Sequence, residues 1–103
     1  IILDDMADTC LTIAQGADLL RKNKAKKIYA AISHGIFSGE SLTLMNESEV
    51  SEIIVSNTIP QHDHLIKSEK IREFDISPIL GEAIRRTHNG ESISCLFTPD
   101  AFK

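Results

Sequence analysis

Ile28-Tyr29-Ala30-Ala31-Ile32 is a near-continuous apolar run. That is the pattern of a strand covered on both faces in a parallel sheet, not the alternation of a strand with one wet face. A second run, Ile53-Ile54-Val55, predicts another buried strand, and Ser41, Leu42, Leu44 and Met45 predict a short helix between the two. Ile1 to Leu3 reads as a short strand ended by Asp4 and Asp5, since aspartate disfavours strand interiors and favours turns and caps. Ile13, Ala14, Ala17, Leu19 and Leu20 recur at helical spacing behind an N-cap at Asp8 or Thr9. Arg21, Lys22, Lys24, Lys26 and Lys27 gather at the far end of that helix, where they oppose the negative pole of its dipole and read as a solvated helix end.

Residues 57 to 70 are polar, contain Pro60 and show no sustained period, which predicts a surface loop. Ile71 to Phe74 is a fourth strand candidate. Ile76, Ile79, Leu80, Ala83 and Ile84 mark one face of a helix closed by Asn89-Gly90, and Ser92 to Phe97 alternates weakly enough to suggest an edge strand. Strands and helices alternate throughout, so the expected fold is α/β: a parallel sheet with helices on its faces. The ligand site of such a sheet lies at the carboxyl ends of its strands. That directs attention to the two polar strand-to-helix turns, 4 to 12 and 33 to 39.

At 103 residues the chain makes one small domain. Its 15 acidic against 11 basic side chains, a net charge of −4, argue against nucleic acid as the main partner. No apolar run approaches the ~20 residues of a membrane helix. Cys10 and Cys95 lie in no paired or metal-binding motif, so a reducing, cytoplasmic compartment is expected.

The first turn, Asp4-Asp5-Met6-Ala7-Asp8-Thr9-Cys10-Leu11-Thr12, sets three carboxylates and two hydroxyls between a strand and a helix. Backbone N–H groups at the helix start, with Thr9 and Thr12, make a cradle for a phosphate. Asp4 and Asp5 repel such an anion, but they accept hydrogen bonds from sugar hydroxyls or hold a hard cation such as magnesium. A phosphorylated sugar offers both kinds of group. The plainer alternative, an acidic first turn that merely favours the helix dipole by ~0.3–1 kcal/mol per carboxylate, stays open on spacing alone. His62-Asp63-His64 lacks a third ligand at metal-site spacing and reads as exposed loop. His34 reads as loop structure with a possible role as ligand, acid or base. Tyr29, Phe37, Phe74, Phe97 and Phe102, the aromatic residues, mostly fall in runs that read as core.

Ile2-Leu3-Asp4-Asp5-Met6-Ala7-Asp8-Thr9 followed by Thr12 resembles the phosphoribosyl pyrophosphate motif of the type I phosphoribosyltransferase fold. Ser33-His34-Gly35-Ile36-Phe37-Ser38-Gly39, Asn57-Thr58-Ile59-Pro60, Asp75-Ile76-Ser77 and the stretch from Glu82 to Ser94 extend the likeness. Together they resemble the ribose-phosphate pyrophosphokinases, or phosphoribosyl pyrophosphate synthetases, over the whole chain. The resemblance implies the C-terminal third or so of an enzyme of two related α/β domains, which moves the pyrophosphoryl group of ATP onto the C1 hydroxyl of ribose 5-phosphate with Mg2+. It implies that Asp4, Asp8, Thr9, Cys10, Leu11 and Thr12 contact ribose 5-phosphate, that Asp5 lies near the ribose hydroxyls, and that Asp4 and Asp5 serve magnesium. It further implies a regulatory phosphate or ADP site at Ser92 and Ser94 and a homo-oligomer, a hexamer in the family, that can include related subunits. On the last helix, one of Arg85 and Arg86 is expected to face solvent and the other an intersubunit or interdomain carboxylate. The family's adenine pocket and basic catalytic loop would precede Ile1, leaving this stretch inactive alone. One departure stands out: Leu11 replaces a usual glycine, which would cost roughly 1–2 kcal/mol if the backbone there needs a positive φ. A noncatalytic associated subunit of the same family is the alternative, and the intact Asp4, Asp5, Asp8, Thr9 and Thr12 count against it, as the later segments count against a phosphoribosyltransferase.

Overall fold

The computed structural model describes residues 1–99. Four strands, β1 (Ile2–Ala7), β2 (Tyr29–Gly35), β3 (Glu52–Ser56) and β4 (Ile71–Phe74), form one sheet in the order β1-β2-β3-β4, every pair parallel. Helices α1 (Leu11–Lys22), α2 (Ser41–Glu47) and α3 (His62–Lys67) make the crossovers, and α4 (Ser77–His88) follows the last strand. This is the α/β architecture expected from the alternating runs.

The core lies on one face of the sheet. Ala30, Ile32, Ile53, Val55 and Ile71 from the strands pack with Ile13, Ala14 and Ala17 of α1 and with Leu42 and Met45 of α2. On the opposite face Leu3, Ala31 and Ile54 stand side by side in register; Leu3 is exposed and the other two are half-buried. Coverage on both faces, inferred from the apolar runs, therefore does not hold among the described residues. An apolar run shows that a strand suits burial, while the cover must come from a separate piece of chain. The same holds for the aromatic residues: Phe37 is buried and Tyr29 half-buried, Phe74 and Phe97 are exposed, and Phe102 lies outside the described residues.

Three local expectations also change. The first strand does not stop at Asp4 but runs on to Ala7, because Met6 and Ala7 pair with His34 and Gly35, and ladder hydrogen bonds outweigh the weak strand preference of aspartate. The polar stretch 57 to 70 contains α3, a helix too short to show a period. The end of α2 supports it from outside: Asn46 Nδ2 donates to the Lys67 carbonyl at 3.1 Å, and Ser68 Oγ donates to Asn46 Oδ1 at 2.6 Å. Lys70 in turn donates to the carbonyls of Met45 and Ser48, both at 2.9 Å, closing the C-terminal end of α2. The segment Ser92 to Phe97 is no edge strand but ends in a 3-10 turn, Ser94–Phe97, started by Ser92 Oγ accepting the Ser94 amide at 3.2 Å. At the end of α1 the charge run is not wholly solvated: Arg21 Nε meets Glu49 at 2.7 Å and its Nη1 binds the carbonyls of Ala25 and Lys26.

Gly35, the last residue of β2, is buried where the chain has no room for a side chain. A Cβ there would meet the Phe37 ring, Val55 Cγ2 at 2.8 Å and Gln61 Nε2 at 3.1 Å. Gly35→Ala is therefore expected to destabilise the protein by about 1–3 kcal/mol through overpacking. A urea midpoint unchanged from the parent would contradict that packing.

Candidate functional site

The two polar turns meet at the carboxyl ends of β1 and β2. The Ala7 carbonyl accepts the amides of both Ile36 and Phe37 at 2.9 Å, and the Asp8 carbonyl accepts the Ser38 amide at 3.1 Å. Ser38 Oγ closes the contact with a short hydrogen bond to the Asp8 carboxylate. One turn thus holds the other, and the start of α1 is fixed relative to both.

Helix α1 begins after Cys10, which takes a left-handed backbone angle, φ 65°. No side chain caps the helix. The first-turn N–H groups of Leu11, Thr12 and Ile13 therefore have no intrahelical partner, and the positive pole of α1 adds to them. The N-cap is thus Cys10, not Asp8 or Thr9. Asp8 spends its carboxylate on Ser38 across the site instead. Asp8, Thr9, Leu11 and Thr12 are exposed around the helix start, with Cys10 buried behind them.

Leu11 occupies the first helical position, so the left-handed residue is Cys10 and no positive-φ strain falls on the leucine. The leucine adds bulk only. Its half-exposed side chain lines a hollow of about 350 Å³ with Thr9, Ser38, Gly39, Glu40 and Leu44. Asp4 and Asp5 line a separate cavity of about 490 Å³, beside Leu3, Ala31, Ile32, Ser33 and Phe74. Of the seven predicted site residues, Asp4 and Asp5 therefore line one hollow, Thr9 and Leu11 another, and Asp8, Cys10 and Thr12 neither.

The thiol of Cys10 is held in its protonated form at neutral pH. Burial, reinforced by the Asp8 carboxylate, pushes its pKa up to about 11, against the lowering that a helix N-terminus alone would bring.

The neighbouring strand ends carry polar groups whose contacts the sequence did not show. His34 Nδ1 and Thr58 Oγ1 lie 2.7 Å apart, and Thr58 also bonds Ser56 and the Ser33 carbonyl. Asn57 Nδ2 donates to Asp75 at 2.8 Å, while the Ser77 amide and hydroxyl donate to the same carboxylate. These bonds, those from Ser77 first, hold the Asp75 carboxyl below the usual range. Ser38, bonded to Asp8, is the omission closest to the site; its place next to Gly39 in a turn after a buried strand was the available signal. His62 and Asp63 are exposed on α3, and among the described residues no three His, Cys, Asp or Glu side chains gather closely enough to hold a metal ion.

Ser92 and Ser94 stand apart from this edge. They bond each other at 3.0 Å, and Arg86 Nη1 donates to the Ser92 carbonyl at 3.1 Å. Both arginines are engaged within the chain: Arg85 and Arg86 share Glu82 at 2.8 and 2.7 Å, and each also reaches Glu91. The Arg85 guanidinium holds the Glu82 carboxyl down at about 2.

A family model described as phosphoribosyl synthetase-associated domain matches residues 1–98. The chain belongs to the phosphoribosyl pyrophosphate synthetase family. Among solved structures it is similar to phosphoribosylpyrophosphate synthetase from Mycobacterium smegmatis, at 34% identity and a TM-score of 0.78, over 85% of this chain and 29% of that one. The chain thus spans under a third of that enzyme's length. Leu11, the one residue favouring a noncatalytic family member, sits in ordinary helical geometry and lends that alternative no backbone argument. Among the described residues no helix is long and apolar enough to cross a membrane.

Alkylation checks the environment of Cys10. At pH 8, iodoacetamide should label Cys10 on the order of a hundredfold more slowly than an ordinary exposed thiol of pKa about 8.5, since little thiolate forms below pH 11. Labelling of Cys10 at the rate of a free thiol would show that the helix start is open.

Proposed function

We infer that this chain is the sugar-phosphate-binding portion, under a third, of a ribose-phosphate pyrophosphokinase. The observation that carries the reading is the uncapped N-terminus of α1 together with two exposed carboxylates within β1. The first needs an anion and the second needs hydroxyls or a cation, so a phosphorylated sugar fits across the pair. The 5-phosphate of ribose 5-phosphate accepts the amides of residues 11 to 13, helped by the hydroxyls of Thr9 and Thr12, with Leu11 contributing its N–H. The ring hydroxyls lie toward Asp4 and Asp5. In the reaction the C1 hydroxyl oxygen bonds to the β-phosphorus of ATP and AMP departs.

We propose magnesium as the cation at these carboxylates. Magnesium takes one or two protein carboxylates and completes its shell with water and substrate phosphates, which matches a pair and does not need a cluster. Asp4 and Asp5 would hold it, and it would neutralise charge on the transferred phosphates. Adenine binding and the cationic groups that steady the transferred group belong to other parts of the full-length protein: neither polar turn here carries a lysine or arginine. Ser92, Ser94 and Arg86 form a small polar group to which a regulatory anion could bind in a homo-oligomer, which is the assembly we propose.

In the full-length protein Asp4→Asn should raise the KM for ribose 5-phosphate or lower kcat by about tenfold or more, with the fold intact by circular dichroism. Unchanged constants would remove Asp4 from the site. Because Leu11 carries no backbone strain, Leu11→Gly should relieve bulk only and tighten ribose 5-phosphate binding a few-fold, while lowering helix stability by up to about 1 kcal/mol. Calorimetric titration with ribose 5-phosphate reads this directly, and weaker binding would mean that the loop is fitted to the leucine.

A further inference from the structure

The most deeply buried polar side chain with three hydrogen bonds lies outside the candidate site. Gln61, just before α3, is 1% exposed. Its Nε2 donates to the carbonyl of Gly35 at 2.8 Å and to that of Ile59 at 2.9 Å. Its Oε1 faces His64 Nδ1 at 2.8 Å. The amide orientation is forced, since the reversed one would set an oxygen against two carbonyl oxygens. An amide oxygen only accepts, so His64 carries a proton on Nδ1. The His64 ring in turn packs edge-on against Phe37, with centroids 5.2 Å apart and planes at 80°.

These contacts converge on the turn that holds Asp8. Gln61 fixes the carbonyl of Gly35 at the end of β2, and through His64 it backs the buried ring of Phe37. Phe37 itself has a left-handed backbone, φ 51°, an angle that a non-glycine residue keeps only when its surroundings impose it. That angle turns the amides of Phe37 and Ser38 toward Ala7 and Asp8. With Gly35 bare of a side chain, Gln61 fits against the turn; nothing else among the described residues occupies its place behind the Gly35 carbonyl.

We propose that Gln61 is a positioning residue for the sugar-phosphate loop, acting through Gly35, His64 and Phe37 on the Ser38–Asp8 contact. Its ligand rests on the reading of the loop as a ribose 5-phosphate site; its mechanical part does not. Gln61 touches no substrate. It sets where the loop stands when substrate arrives, and positioning errors well under a bond length of movement are felt in binding and rate.

The test is made in the full-length protein with Gln61→Leu, which removes all three hydrogen bonds at similar volume, and with His64→Phe, which keeps the aromatic edge and removes only the Nδ1 donor. Gln61→Leu should raise the KM for ribose 5-phosphate roughly tenfold while the KM for ATP moves less than about twofold, and His64→Phe should do the same to a smaller extent. Amide exchange at Ile36, Phe37 and Ser38 should quicken by about tenfold or more in both variants, with Ala30 to Ile32 unaffected, because local opening is confined to the turn. A merely structural glutamine would lower the melting temperature and shift both KM values together; that result, or unchanged exchange at residues 36 to 38, overturns the proposal. If Gln61→Leu does not fold, His64→Phe alone decides by the same criteria. Absence of ribose 5-phosphate turnover in the unaltered protein would defeat the functional reading, whereas the exchange rates still decide the brace.

Discussion

The contact on which the site depends is the Ala7 carbonyl, which accepts two successive amides from the turn after β2. A carbonyl oxygen has two lone pairs, and here both are used at the point where β1 ends. Parallel pairing brings the two strand ends to the same edge of the sheet, but it does not by itself lock the turns together. The bonds to Ala7 and Asp8 do so, and they require Phe37 to leave the usual backbone region. Gly35 permits that turn by having no side chain, Phe37 fills the space beneath it, and Gln61 ties the strand end to α3.

From that lock follows the electrostatic character of the edge. Cys10 absorbs the left-handed turn that starts α1, which sends the helix's free N–H groups outward. Asp8, held by Ser38, is turned aside from those groups. Asp4 and Asp5 remain on the strand side, in a hollow of their own. Positive pole and negative carboxylates are thereby separated by a few residues of chain, an arrangement suited to a ligand that is anionic at one end and hydroxylated at the other. The basic residues of α1 sit at its opposite end, where Arg21 is occupied by Glu49 and the carbonyls of residues 25 and 26, so they do not disturb the cradle.

The far side of the molecule follows another logic. Helix α4 buries none of its residues, and Leu80 and Ile84 on its apolar face are exposed. Leu3 is likewise exposed on the open face of the sheet. Their amphipathic pattern is as regular as that of α1, yet α1 is covered and α4 is not. Pattern declares which face suits burial, and whether a partner covers it is decided outside the helix itself.

Four strands, α1, α2 and α4 were legible in the sequence, because apolar runs and helical spacing are local signals that survive without tertiary help. That the two polar turns come together at one edge was legible because the topology of a parallel sheet dictates it. What the sequence could not show were events settled by contact. Strand β1 persists through Asp4 and Asp5 because β2 offers ladder partners. Helix α3 exists because Asn46 meets its end. The left-handed residue is Cys10 and not Leu11 because the cap falls on Cys10 and Leu11 is already helical. Gln61, unremarkable in a polar stretch, became the buried centre of the site's support. Periodicity and residue chemistry act over a few residues and are fixed by the sequence itself. Register, caps and the choice of which polar group is buried depend on what lies across space, and the tertiary structure alone decides them.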